Sequence, residues 1–222
     1  KTADGKAAID QGPKPLPKVL VALNLSDRQR AAILALGVDL DKRAEAYKES
    51  QRDAILAIAA TARRCDGNSM ALDSALSWAA SSAEQLREPI LDSIDKLHAI
   101  LRPEQRRALV AALLDRDKKR DTRRRTSKST RSLADAIDLS FGQIITALAR
   151  ADKLRRAAET EMEPWRTAYK AAVAAFADDG FAIRDQPVSK LAVAAVVAKY
   201  VRSAVRTLLP MLDKRQCKAL AD

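Results

Sequence analysis

The chain has 222 residues and a net charge of +11, with 47% hydrophobic residues, 4% aromatics and six glycines. That is enough apolar material for the core of one or two domains, and a composition rich in Ala and Leu and poor in Gly favours helices over sheets. No apolar run approaches the roughly 18–20 residues that a membrane-spanning helix needs, so no transmembrane segment is read, and the positive charge alone suits nucleic acid, an anionic membrane or acidic proteins equally.

Residues 1–17 are rich in Gly, Pro and Lys, lack periodicity and read as a flexible leader. Lys18 to Asn24 predicts a short apolar helix. A long helix follows from Asp27 to about Arg64, with Tyr47, Ala54, Ile55, Ile58 and Ala62 as its buried stripe and Gly37 as a point of local loosening. Cys65-Asp66-Gly67-Asn68 ends it, with Gly67 suited to a left-handed C-terminal turn. The next helix spans about Ser69 to Leu101, is kinked at Pro89, and carries Ile90, Ile94, Leu97 and Leu101 on its apolar face. Another starts at Pro103, with Leu109, Ala112 and Leu113 apolar.

From Asp115 to Arg131 the chain has nine basic and three acidic residues and no large apolar side chain. Such a stretch buries no face, so it reads as an exposed helix end plus a basic linker. The pattern then restarts. Leu133 to Ser140 echoes Leu20 to Ser26, and a long helix runs from Phe141 to about Ala177 with Pro164 as a kink. Asp179-Gly180 repeats Asp66-Gly67, and Pro187 begins another helix. Val201, Val205, Leu208 and Leu212 stand 111 residues beyond Ile90, Ile94, Leu97 and Leu101. The expectation is an all-α fold of two tandem units, residues 18–114 and 132–222, each a long antiparallel helical hairpin flanked by short helices and joined by residues 115–131.

One short motif punctuates both halves: Leu25-Ser26-x-x-Gln29, Leu101-Arg102-x-x-Gln105, Leu139-Ser140-x-x-Gln143 and Leu212-Asp213-x-x-Gln216. Ser26, Ser140 and Asp213 suit a helix N-cap, and a Gln three residues on reaches back to the cap's own N–H, which makes a capping box. Arg102 is a poor cap, but Pro103 stands at the first helical position, where a missing N–H costs nothing. The copies form two pairs with separations of 76 and 73 residues.

These residues resemble a family. Leu101-Arg102-Pro103-Glu104-Gln105-Arg106 is similar to the Leu-Thr-Pro-Glu-Gln-Arg signature of the Spy/CpxP family of bacterial periplasmic proteins, and the other copies fit its Leu-Thr-x-x-Gln (LTxxQ) pattern with Ser or Asp for Thr. The resemblance covers about residues 19–222. It implies an all-helical cradle, normally a homodimer, here fused as an internal pseudo-dimer and therefore a monomer. It also implies a periplasmic location with the secretion signal removed. Members include ATP-independent chaperones, and relatives act in envelope-stress signalling and metal resistance. The metal-handling relatives use His and acidic clusters; with His98 its single histidine, this chain is expected to hold no metal.

No Gly-rich phosphate loop, close Cys/His pair or Ser-nucleophile motif occurs, so the sequence points to neither an enzyme nor a cofactor. The leading expectation is a chaperone-like protein that binds unfolded, acidic or stress-related clients, with Lys118, Lys119, Arg120, Arg123, Arg124 and Arg125 attracting them. One alternative is nucleic-acid binding through the same basic linker, which lacks aromatics for base stacking. Another is an envelope-stress signalling or scaffold protein that binds a membrane sensor's outer domain. Trp78 and Trp165 are read as packing residues and His98 as a surface or boundary residue. In an antiparallel pseudo-dimer the hairpin tip bearing Cys65 approaches the last motif, which makes Cys65–Cys217 a candidate disulfide.

Overall fold

A computed structural model describes residues 16–125 and 138–221, without the side chains of residues 120–125 and 141. The fold is all-α, with no strand among the described residues. In chain order the α-helices are α1 (Lys18–Val21), α2 (Asp27–Arg43), α3 (Glu45–Arg64), α4 (Met70–Gln85), α5 (Arg87–Ile100), α6 (Pro103–Arg125), α7 (Phe141–Ala175), α8 (Val193–Leu208) and α9 (Lys214–Ala221). Short 3-10 turns cover Ile183–Asp185, Pro187–Lys190 and Leu209–Met211.

The long helix expected after Asp27 is two helices meeting at Ala44, not one loosened at Gly37, which lies inside α2 with nothing near its Cα hydrogens. Ala44 N–H bonds Leu40 O and Ala44 O accepts from Lys48 N–H, so the backbone ladder bridges the join. The second stretch breaks at Leu86. Pro89 is the third residue of α5 and lacks the N–H that would bond the carbonyl of Gln85; the ladder resumes with Ile90 N–H on Leu86 O. α2 packs on α5 and α3 on α4, so the chain doubles back at residues 65–69.

The turn itself differs from expectation. Cys65, not Gly67, takes the left-handed conformation, at φ 51°. Cys65 N–H bonds Ala62 O and Asp66 N–H bonds Thr61 O, the paired closure of a Schellman motif. Gly67 serves a different need: a Cβ there would stand 3.2 Å from the Cα of Arg206 in α8. Ser69 then caps α4 by accepting from Leu72 N–H.

In the second half α7 continues through Pro164. Pro187 begins a 3-10 turn, and the α-helix starts six residues later at Val193. The halves interlock: α4 lies against α8, α3 against α9, and α6 against α7. Phe176 of the second half enters a core of Leu20, Leu23, Leu25, Ile33, Leu101, Leu109 and Val110 from the first. Leu16 packs on that core, and residues 1–15 of the expected leader lie outside the described residues. Val201 and Val205 pack on Ala54, Leu72, Leu76 and Ala79.

The expected stripes hold at Ala54, Ala62, Leu101 and Leu109, which are buried, and at Tyr47, Ile58, Ile94, Leu97 and Leu113, which are half-buried, but each has one member turned outward. In α3 the buried side chains are Ser50, Ala54, Thr61 and Ala62, while Ile55 is 64% exposed. In α5 they are Leu91 and His98, with Ile90 turned outward. In α6 Val110 is buried and Ala112 exposed.

Candidate functional site

The four motifs come together as two pairs, and each glutamine does more than close its own cap. Gln29 Oε1 accepts from Ser26 N–H, and its Nε2 donates to Ile100 O and Gln105 Oε1, both at 2.8 Å. Gln105 answers in kind: its Oε1 accepts from Arg102 N–H and its Nε2 donates to Leu23 O. The other pair repeats the pattern. Gln143 Nε2 donates to Met211 O at 2.7 Å and to Gln216 Oε1 at 2.9 Å, while Gln216 Nε2 donates to Asp138 O at 2.9 Å. Ser26, Ser140 and Asp213 all accept from the N–H of their glutamine, so three copies are full capping boxes and the Arg102 copy is half of one. Asn24 and Asp138, just before Leu25 and Leu139, share left-handed φ values of 49° and 53°. Leu25 and Leu101 are buried, and Leu139 and Leu212 half-buried.

Cys65 and Cys217 form a disulfide, with Cα atoms 5.7 Å apart. It joins the hairpin tip of the first half to α9, and Ala62 and Leu209 pack around it.

His98 is not a surface residue. It is 7% exposed, edge-on to Phe176 and beside Phe181. Its Nε2 lies 2.9 Å from Asp178 O, and Arg106 Nη1 is within reach of both ring nitrogens. Arg106, itself buried, also pairs with Asp179. This buried cluster ties the second motif to the turn after α7. Trp165 is half-buried and stacked on Tyr169, whereas Trp78 is 42% exposed and no core residue.

One further feature was not singled out by any motif. An open cavity of about 830 Å³ lies between the halves, walled by α3, α4, α5, α6, α7 and α8. Its walls are mostly apolar, including Ile58, Leu76, Ile94, Leu113, Phe176 and Val201. Three wall residues on three different helices remain exposed: Ile55 on α3, Ile90 (38%) on α5 and Val197 (51%) on α8. The signal in the sequence was the width of the apolar arcs. α8 alternates Val and Ala around more than one face, yet buries no residue fully. At the edge of this wall Lys199 and Tyr200 both donate to Glu161 of α7. The Lys199 bond, then that of Tyr200, holds the Glu161 carboxyl below its usual range, and the Glu161 bond pushes the Tyr200 phenol up.

α6 links this cavity to the basic stretch. Leu109 and Leu113 line the cavity, and Lys118 follows five residues later, about 8 Å along the axis. Lys118 and Lys119 are exposed, and Lys119 pairs with Asp115 at 2.6 Å. The backbone stays helical through Arg125; the side chains of Arg120, Arg123, Arg124 and Arg125 lie outside the described residues, as do residues 126–131 of the expected linker. No group of His, Cys, Asp and Glu suited to a metal ion occurs among the described residues. No helix of the described residues is long and apolar enough to cross a membrane. No family model, curated protein or solved structure matches this chain.

Proposed function

We propose that the chain is an ATP-independent, chaperone-like binding protein of the periplasm that holds apolar segments of unfolded or stress-related clients. The observation that carries this reading is the convergence of Ile55, Ile90 and Val197, exposed on three helices, around one open apolar cavity. Exposed apolar surface gathered in one place marks an interaction site more than scattered residues do. Burial of these three side chains by a client is worth about 1–2 kcal/mol each at their present exposure, a hold weak enough to release without nucleotide. The basic end of α6 begins beside the cavity and supplies long-range attraction for acidic clients.

The two matching glutamine interlocks support a fused pseudo-dimer with a cradle-like open side, in keeping with the Spy/CpxP resemblance. The Cys65–Cys217 disulfide supports an oxidising compartment. The test is light scattering of a reduced, unfolding client without nucleotide at low and high salt. Suppression that weakens with salt and is lost in Ile55→Asp/Val197→Asp is the expected result. Absence of suppression at several-fold molar excess refutes the reading.

A further inference from the structure

Aromatic residues are scarce in this chain, yet most of them meet in one place. Of its eight (two Trp, three Tyr and three Phe), five line the cavity: Tyr47 on α3, Trp165 and Tyr169 on α7, Phe176 at the end of α7 and Phe181 in the turn beyond it. Trp165, Tyr169 and Phe176 follow one another at intervals of four and seven residues, which keeps them on one face of the helix. The rings form two pairs. Trp165 is stacked on Tyr169 with centroids 5.3 Å apart, and Phe176 meets Phe181 edge-on at 5.1 Å. The rest of the lining is aliphatic except for Gln51, Ser189, Glu84 and Arg87. The two charged residues neutralise each other, with Arg87 Nη1 2.8 Å from Glu84 Oε1. Ser189 Oγ is within hydrogen-bond distance of the Arg184 and Gln186 carbonyls.

These walls select a class of ligand. The volume of about 830 Å³ falls within the range of small-molecule sites. An ionised ligand would give up its hydration for walls whose two charges, among the described residues, are already paired with each other, so a neutral one is favoured. An inserted polypeptide would bring a backbone N–H and C=O with almost every residue, each needing a partner that aliphatic and aromatic walls do not supply. A neutral ring system carries neither cost, and its faces and edges complement those of the two ring pairs. We propose that the cavity binds a neutral aromatic molecule of several rings, held against Trp165, Tyr169, Phe176 and Phe181. Client side chains still meet the exposed wall residues Ile55, Ile90 and Val197, so this goes beyond the client reading and does not depend on it.

The test is titration of the intact, oxidised protein with N-phenylnaphthylamine, a neutral dye that brightens in apolar surroundings, and with anilinonaphthalene sulfonate, which adds an anionic group to the same rings. Saturable one-to-one binding of the neutral dye is expected, about tenfold or more tighter than the sulfonate, although a chain of net charge +11 attracts anions to its surface. Phenanthrene displaces the dye better than perhydrophenanthrene, its saturated counterpart. Ala194→Leu, which takes up space inside, and Val197→Glu, at an exposed wall position, are checked by circular dichroism and weaken the binding. Trp165→Leu narrows the preference for phenanthrene. No saturable binding, a sulfonate held as tightly as the neutral dye, equal displacement by the two hydrocarbons, or binding unchanged in both cavity variants overturns the proposal. Aggregation suppression is measured on the same samples. Suppression without dye binding sinks this inference and leaves the chaperone reading standing, and binding without suppression does the reverse.

Discussion

The glutamine interlock makes a quantitative claim that ordinary helix capping does not. Gln105 is buried, and its side chain serves four partners: Arg102 N–H, Gln29 Nε2, Leu23 O and Asn24 O. Gln105→Leu keeps roughly the shape and removes all of them. Arg102 is exposed, so its N–H recovers water, and Gln29 Nε2 keeps Ile100 O. The uncompensated loss is then centred on the buried bond to Leu23 O and the Gln–Gln contact, at about 1–1.5 kcal/mol each. A destabilisation of about 2–3 kcal/mol follows, or a melting-temperature drop of about 5–10 °C for a chain of this size. The sharper test is a double-mutant cycle by urea denaturation with Gln29→Ala and Gln105→Ala, and its counterpart with Gln143→Ala and Gln216→Ala. Within each pair the coupling is about 1–2 kcal/mol, while Gln29 with Gln216, which share no hydrogen-bond partner, is additive to within about 0.5 kcal/mol. Coupling within that same margin inside both pairs refutes the interlock and reduces the motif to four separate caps.

The remaining expectations concern the joins between elements. Gly67→Ala destabilises by about 1–2 kcal/mol because the added methyl meets the backbone of Arg206, while Gly180→Ala, with open space around it, is neutral within about 0.5 kcal/mol; thermal melts of the two compare them directly. Thiol titration of the denatured, unreduced protein finds no free thiol, and reduction lowers stability by up to about 5 kcal/mol given a loop spanning 152 residues. Arg184 bonds Glu88, Asp92 and Asp95, and its hydrogen bond holds the Asp92 carboxyl below the usual value of 3.8. A lowered carboxylate adds stability above its unfolded value and loses it as pH falls through the folded one. Arg184→Ala therefore melts lower than the parent at pH 7, with the gap closing below about pH 4; a gap unchanged at pH 3 contradicts the assignment.

The sequence showed where helices begin and stop more clearly than which way they face. Ser26, Ser140 and Asp213 stand at caps because a cap is a local device, legible within four residues. The break near Pro89 is local for the same reason. Facing is different in a chain this rich in alanine. α3 approaches α4 and α9 along Ser50, Ala54, Thr61 and Ala62, and the distance between packed helices depends on the side chains at the contact. Small residues permit close approach, which leaves Ile55 outside although hydropathy alone turns it inward. His98 was misplaced because the buried arc of α5 is wider than the expected stripe. Once Leu91 rather than Ile90 marks the buried face of α5, His98 follows seven residues later on that face. Gly67 looked conformational from its neighbours and proved to be steric, because the backbone it meets lies 139 residues away in α8.

The cavity follows from where the structure places its joins. Apolar packing closes the molecule around Leu25, Leu101 and Phe176 at one end and around Ala62, Leu209 and Cys217 at the other. Between them Val201 and Val205 pack on Leu72 and Leu76, Ala172 and Ile183 pack on Leu91, and polar ties join the halves at the periphery: Asp73 with Arg202 and Arg206, and Arg184 with Glu88, Asp92 and Asp95. Exposed ion pairs of this kind hold geometry at a net gain of about 0–1 kcal/mol each, far less than closure of the apolar walls would contribute. A sequence under selection for stability alone would have filled that space with larger side chains than Ala80, Ala83 and Ala194. Filling it is therefore the informative perturbation. Ala83→Leu or Ala194→Leu is expected to leave the fold intact or stabilise it slightly, while reducing capture of clients. Unchanged capture in a stabilised, filled variant would show that the cavity is only imperfect packing.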